Sequence, residues 1–353
     1  MTILLIALFG NYSRCDQREF NRKKKIVMKI ITSVYNSVKF PDFFVICFIL
    51  LVSCSEDIIP HIAYYENGNK MEEGTFKSSE KHGIWINWYE DGTKKSEGRY
   101  KKGMMDGDWI FFHENGSVKA NVIYIEGSGE GTMDDIPSEG LEGECIFFYD
   151  NGTKKSEHFY KKGKMEGLQL GWHSNGEKDS EVSFKSGEID GKVLNWYESG
   201  NKELEAHYIE GARDGLWKSW YEGGSPSSEL SFKDDKKHGI ETVWYENGKK
   251  ESEFHWEDGV YDGKQTFWYK NGQIKGEGYF KNGKRQGNQI IWFENGNKMQ
   301  EGFFLDDKMN GKWFYWYENG QKKLEANYLD DLQVGKWITW TKDGKEKREK
   351  LQD

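Results

Sequence analysis

The chain has 353 residues, 41 glycines, only four prolines, and a formal net charge of −9. Nucleic acid and anionic lipid headgroups call for basic patches, so this balance argues against both as partners. So few prolines suit a chain built of paired strands, where each proline would remove a ladder hydrogen bond.

The first sixty residues differ from the rest. Through Cys54 there are eight Lys/Arg and three Asp/Glu, net +5, which leaves −14 for the remainder. Residues 43 to 52 (FFVICFILLV) form a ten-residue apolar run, too short to span a bilayer and of the right length for a signal-peptide core. The run leads into Leu51-Val52-Ser53-Cys54, which resembles a bacterial lipobox, in which the cysteine is acylated after cleavage. Lys29 and Lys39 supply the positive flank if translation starts at Met28, whereas a start at Met1 makes the leader awkwardly long. The expected division is a leader over 1–53, its true start at Met28, and a lipidated linker over 54–60. Ser55 resembles the default for outer-membrane sorting, and Glu56 with Asp57 resembles surface-export signals of some bacterial lipoproteins. The plainer alternative is a cysteine buried in an apolar strand. If Cys54 is acylated, Cys145 is left alone and no intramolecular disulfide forms.

From residue 61 to 345 the chain repeats itself. Turn dipeptides end at Gly68, Gly92, Gly116, Gly152, Gly176, Gly200, Gly224, Gly248, Gly272, Gly296, Gly320 and Gly344. The spacing is 24 residues throughout, apart from one step of 36 between Gly116 and Gly152. A second glycine ladder, from Gly83 and Gly107 to Gly335, keeps the same step and the same jump. Such a period marks stacked units that bury apolar surface only against their neighbours. Eight of the twelve turns are Asn-Gly, read here as type I′ hairpins with positive φ at both central residues. The second ladder is read as turning the chain back. Each unit is thus two short antiparallel strands, and the fold is all-β: an elongated antiparallel hairpin array. An active site is not expected in such a chain, whose role is to bind or to scaffold.

The fifteen tryptophans follow the period. Trp85, Trp109, Trp217, Trp313 and Trp337 fill a first slot. Trp88, Trp172, Trp196, Trp220, Trp244, Trp268, Trp292, Trp316 and Trp340 fill a second, and Trp256 sits on the opposite strand. They are read as core, stacked along the array; the sharper alternative is an exposed stripe for sugars or a peptide. Residues three apart on a strand face opposite sides, so Trp313 and Trp316 require either a bulge or two covered faces.

Taken together, these residues resemble the MORN-repeat variant found in bacterial proteins labelled YwqK-type antitoxins. Residues 89–100 (YEDGTKKSEGRY) and 268–280 (WYKNGQIKGEGYF) carry the likeness, which covers about residues 61 to 345. It implies β-hairpin repeats in an elongated array. Its functional labels are membrane association, protein scaffolding and toxin neutralisation, none of which follows from the hairpin itself.

Catalytic chemistry finds little to rest on. A glutamate column runs from Glu73 and Glu97 to Glu325, broken by Asn121. It is read as pairing with the lysine three residues earlier, as in Lys94 with Glu97 and Lys202 with Glu205. An active site needs one special environment, which identical slots do not supply. The eight histidines show no metal-site spacing, and no nucleophile elbow or phosphate loop is present. No catalytic residue, metal or cofactor is expected.

The 12-residue expansion near 127–140 (GSGEGTMDDIPSEG) is the single asymmetry. It is read as a surface loop, with Gly127, Asp134 and Asp135 as candidate contacts to a basic partner. Residues 346–353 form a charged tail that would blunt the last sheet edge. These readings point to a lipid-anchored protein of the bacterial envelope, placed in the outer membrane, that binds a protein partner not named by the sequence. The alternatives are a cytoplasmic antitoxin and a sugar-active hydrolase.

Overall fold

The computed structural model describes Lys25, Lys29 and residues 58–350, the last three by their backbone alone. Lys25 and Lys29 are in helical backbone, and the repeats are all strand and turn. The chain divides into two units, residues 1–59 with 77–79 and residues 60–76 with 80–353. Cys54, the rest of the leader and the linker up to residue 57 lie outside the described residues, as do residues 351–353 of the tail.

Among the described residues the strands form one open antiparallel sheet of 28. Each long strand pairs with the next long strand in the chain, while two-residue strands such as Lys164–Met165 pair only with the strand before them. Thus Glu80–Trp88 pairs with Lys94–Lys101, which pairs with Met104–Phe112. The alternation of strand types recurs to the last hairpin, where Leu332–Trp340 pairs with Glu346–Lys350.

The two kinds of turn differ from the sequence reading. At Asn67-Gly68 the Gly68 N–H donates to the Tyr65 carbonyl at 3.0 Å, and the Tyr65 N–H donates to the Asn69 carbonyl at 2.8 Å. Only the glycine has positive φ, at 90°. This is a type I turn closed by a glycine bulge, and not the type I′ expected from Asn-Gly. The asparagine stays on the negative side because its side chain is used. Asn67 Oδ1 accepts the Asn69 N–H, and Nδ2 donates to the Glu90 carbonyl in the next unit.

Type I′ turns do occur, at sites the glycine ladders do not mark. Lys102 and Gly103 have φ of 53° and 77°, and Asp306 and Asp307 have 49° and 70°. These turns, and not the second ladder, reverse the chain. The second-ladder glycine lies inside a strand: Gly98 pairs with Trp109 and Tyr100 with Met105, and between them the register slips around Gly107. That slip is a bulge, and its positive φ of 81° selects glycine.

The two tryptophan slots lie on opposite faces. Trp313 stacks beside Tyr315 at 6.3 Å, while Trp316 packs beside Phe314 at 5.9 Å. The neighbouring bulge is on the partner strand, where Tyr315 pairs with Leu324, Trp316 with Lys322, and Lys323 is left out. The single aromatic core read from the sequence is therefore two layers. First-slot Trp85, Trp109 and Trp313 are buried, whereas Trp88, Trp196, Trp220, Trp244, Trp268, Trp292 and Trp316 are half-buried. The largest buried cluster gathers Met105, Trp109, Tyr124, Ile136, Leu141, Cys145 and Phe147. Ile136 comes from the expansion and Leu141 opens the repeat after it, so the expansion folds back onto the sheet instead of lying free on the surface.

Candidate functional site

Three repeating polar columns organise the surface of the array. In the first, each tyrosine after a second-slot aromatic reaches into the next unit. Tyr197 Oη donates to the Trp220 carbonyl at 2.8 Å, and Tyr245 Oη to that of Trp268 at 2.8 Å. His113 and His173, which stand where other units have tyrosine, bring Nε2 to the carbonyls of Phe148 and Trp196 at 3.0 and 2.7 Å. A ring N–H thus replaces a phenol. In the second column, the turn asparagine spans to the next turn, as Asn295 does to the Glu318 carbonyl at 2.8 Å. The turns ending at Gly92, Gly248, Gly272, Gly296 and Gly320 all carry the tyrosine-type closure of the bulged turn.

The third column is charged. Lys94 pairs with Glu97 at 2.6 Å and Lys202 with Glu205 at 2.8 Å, as the spacing predicts. The same lysines lie over aromatic rings of the next unit: Lys202 over Trp220 at 5.3 Å, Lys250 over Trp268 at 5.6 Å. Each lysine thus contacts both a ring face and a carboxylate. The Lys202 hydrogen bond holds Glu205 below the usual carboxylate range. Where Pro226 and Ile274 replace the lysine, Glu229 and Glu277 turn to Lys218 and Lys264, at 3.2 and 2.6 Å. Repeated carboxylates that are paired in this way are structural.

One unit breaks the pattern in a way that the sequence signals and the periodic reading missed. Glu241 occupies the first tryptophan slot and Trp256 the aromatic slot of the opposite strand. The Trp256 indole N–H donates to Glu241 Oε2 at 2.8 Å, and Lys237 Nζ reaches both carboxylate oxygens at 3.0 and 3.1 Å. Lys237 also lies 4.5 Å over the Trp256 ring. A carboxylate in the tryptophan slot facing a tryptophan where other units carry Tyr or Phe is the signal. Among the described residues, one set could hold a metal ion: His238, Glu257 and Asp258, whose ligand atoms lie within 4.8 Å of one another. His238 Nδ1 stands 3.7 Å from Glu257, and Glu257 and Asp258 are both exposed.

The expansion is the one non-repeating feature. Gly127 is buried and pairs with Met105 across the ladder. The Tyr124 hydroxyl donates to the Pro137 carbonyl, and Met133 and Ile136 close a small bridge by exchanging backbone hydrogen bonds. Asp134 is taken by Lys155, at 2.5 Å. Asp135 is 97% exposed and stands 3.5 Å from Lys119. Of the three candidate residues, then, Gly127 is inside, Asp134 is paired within the chain, and Asp135 is open to solvent. Cys145 beneath them is fully buried, and burial pushes its thiol up to about 11.

A search of curated proteins finds no match to the chain. Among solved structures, likenesses include a crystal structure of TcdB2-TccC3-Cdc42, at 11% identity, over 81% of this chain and 19% of that one. A TcdB2-TccC3-TEV structure matches at 9%, over 81% and 20%, and the Photorhabdus luminescens Tc holotoxin pore at 11%, over 81% and 19%. All three have a TM-score of 0.17, too low to carry an argument, and this chain spans about a fifth of those chains. The MORN repeat variant matches residues 60–78, 81–102, 105–126, 141–162, 189–210, 213–234, 237–258, 261–282 and 309–330. The hairpins between those matches close with the same turn bonds, at His173 to Glu177 and at Phe293 to Asn297. With the family's pattern matched over more than half its length, the chain belongs to the MORN-repeat-variant family.

Proposed function

We propose that this protein is a non-catalytic binding or scaffold protein of the bacterial cell envelope, held to the membrane by a lipid on Cys54. MORN repeats are protein- and membrane-interacting modules, which supports a binding role in general terms. One observation carries the rest of the reading. Among the described residues, the repeated carboxylates are taken by lysines of the array and the forward-bonding phenols by the next unit, which leaves many equivalent slots where catalysis would need one set apart. What such an array offers is a long, regular surface. The lipobox-like Leu51-Val52-Ser53-Cys54 and the ten-residue apolar run before it motivate the anchor and the envelope location.

Metabolic labelling with palmitate tests the anchor: wild type incorporates label and Cys54→Ala does not. Affinity capture from envelope extracts with the anchored protein tests binding. A labelled wild type that recovers no partner would count against the scaffold role while leaving the anchor intact.

A second reading is an antitoxin that neutralises a toxin by direct binding, motivated by the likeness of residues 89–100 to YwqK-type repeats. It expects an unlabelled, cytoplasmic protein whose co-expression rescues cells from the product of an adjacent gene. Globomycin-sensitive processing at Cys54 would sink it.

A further inference from the structure

The expansion does more than cover the core. Its outer side and the type I′ turn at Lys162-Gly163 form the two walls of a groove of about 860 Å³. Glu130, Gly131, Ser138 and Glu139 line one wall, Lys162, Gly163 and Lys164 the other, and Ile125 is an apolar patch between them, 56% exposed.

The groove is preformed. Glu142 ties its walls together by accepting the Lys162 N–H at 2.5 Å. The expansion is pinned from beneath by Ile136 and Leu141, each about 1% exposed. It is also pinned from within by the Ser138 and Glu139 N–H groups, which both donate to the Glu130 carbonyl. The loop wall thus keeps its shape before any ligand arrives, which lowers the ordering cost of binding.

The charges on the walls are opposite in sign and unspent. Among the described residues, Lys162 and Lys164 form no ion pair, nor does Glu130, and Glu139 takes only the Ser128 hydroxyl. Gly163 leaves its rim without a side chain and with open space around it, so a main chain can approach closely there, whereas Gly131 and Gly140 are packed against Ser138 and Gly127 and hold the loop wall in shape. Opposite charges flanking an apolar patch suit an extended peptide better than a simple ion of either sign.

We propose that this groove docks an extended segment of a partner protein, one that presents a Lys or Arg to Glu130 and Glu139, an aliphatic side chain to Ile125, and an Asp or Glu to Lys162 and Lys164. The proposal rests on the binding role above and narrows it to one site and one partner chemistry.

A random dodecapeptide library displayed on phage tests it. The wild-type array enriches peptides in which a basic and an acidic residue flank an aliphatic one. Those peptides bind the charge-reversed variant E130K/E139K/K162E/K164E about tenfold more weakly or worse, and peptides with their own charges exchanged recover binding. Thermal melting confirms that the variant folds; should it fail to, Ile125→Asp with all four charges kept serves instead, with the same loss expected. No enrichment, or equal binding to wild type and variant, overturns the proposal. If the variant still captures the envelope partner that wild type captures, the groove is not the site and the scaffold role stands.

Discussion

The indole of Trp109 lies over Gly98, its partner across the ladder, so closely that a Cβ on Gly98 would fall within the ring. Gly74 under Trp85 and Gly302 under Trp313 repeat the arrangement. The glycine is there for space, since neither its turn geometry nor a positive φ calls for it. Gly98→Ala is expected to destabilise the protein by about 1–3 kcal/mol through overpacking. In a Trp109→Leu background the same change costs less by about 1 kcal/mol or more, and denaturant melts of the four proteins in the cycle read that coupling. Equal costs in both backgrounds would mean that the ring does not set the requirement.

The tyrosine column predicts a gain as well as a loss. Phe293 stands where other units have the tyrosine that bonds forward, and the matching carbonyl belongs to Trp316. Phe293→Tyr is expected to add up to about 1 kcal/mol, and Tyr245→Phe to remove about 1 kcal/mol. Both are read from the midpoint of urea unfolding. A Phe293→Tyr protein less stable than wild type would refute the forward bond as the column's purpose.

Ile136 ties the expansion to the sheet. It is 1% exposed and packs in the cluster with Met105, Trp109 and Tyr124. Ile136→Ala should cost about 2–5 kcal/mol and should loosen hydrogen-exchange protection locally, over residues 105–160 and not over the far repeats. Uniform loss of protection along the array would contradict an anchoring role.

Burial also governs Cys145. Its thiol is pushed up to about 11 and its surface is closed, so little thiolate forms near neutral pH. In protein carrying Cys15→Ser, Cys47→Ser and Cys54→Ser, a maleimide should leave Cys145 unmodified in buffer and modify it fully in denaturant. Rapid labelling of the native protein would show that the expansion opens.

Stability should fall in acid. Lys202 holds Glu205 below its ordinary value, and the Lys312 hydrogen bond does the same for Glu325. A carboxylate with a lowered folded pKa contributes stability that is fully present above its unfolded pKa. As the pH drops below that value, the unfolded chain takes up protons before the folded one, and the contribution is lost through the folded pKa. The melting temperature should therefore be flat near neutrality and decline below about pH 4.5. The decline should be smaller in Glu205→Gln and Glu325→Gln, and an unchanged slope in those variants would rule out the pairs as its source.

Much of the hairpin array is legible along the chain because its signals are local. A glycine every 24 residues but for one step, aromatic pairs beside it and a lysine three before most of the column glutamates state the period, the strand type and most of the ion pairs. The turn types were harder to read. Asn-Gly is compatible with a type I′ turn and with a type I turn plus a bulge, and Asn67 is held in the second by a bond to Glu90 in the next unit. The true type I′ turns range from Asn282-Gly283 and Asp258-Gly259 through Lys102-Gly103 and Glu210-Gly211 to Asp306-Asp307 and Ser78-Ser79, so no one dipeptide marks them.

The division of the tryptophans between two faces, and the folding of residues 127–140 onto the core with a mixed-charge groove outside, depend on packing across units. Periodicity is a property of neighbours along the chain and so is written in it. Which side of a bulge a ring faces, and what an irregular loop covers, follow from contacts between segments that are far apart in sequence, and no local pattern encodes them.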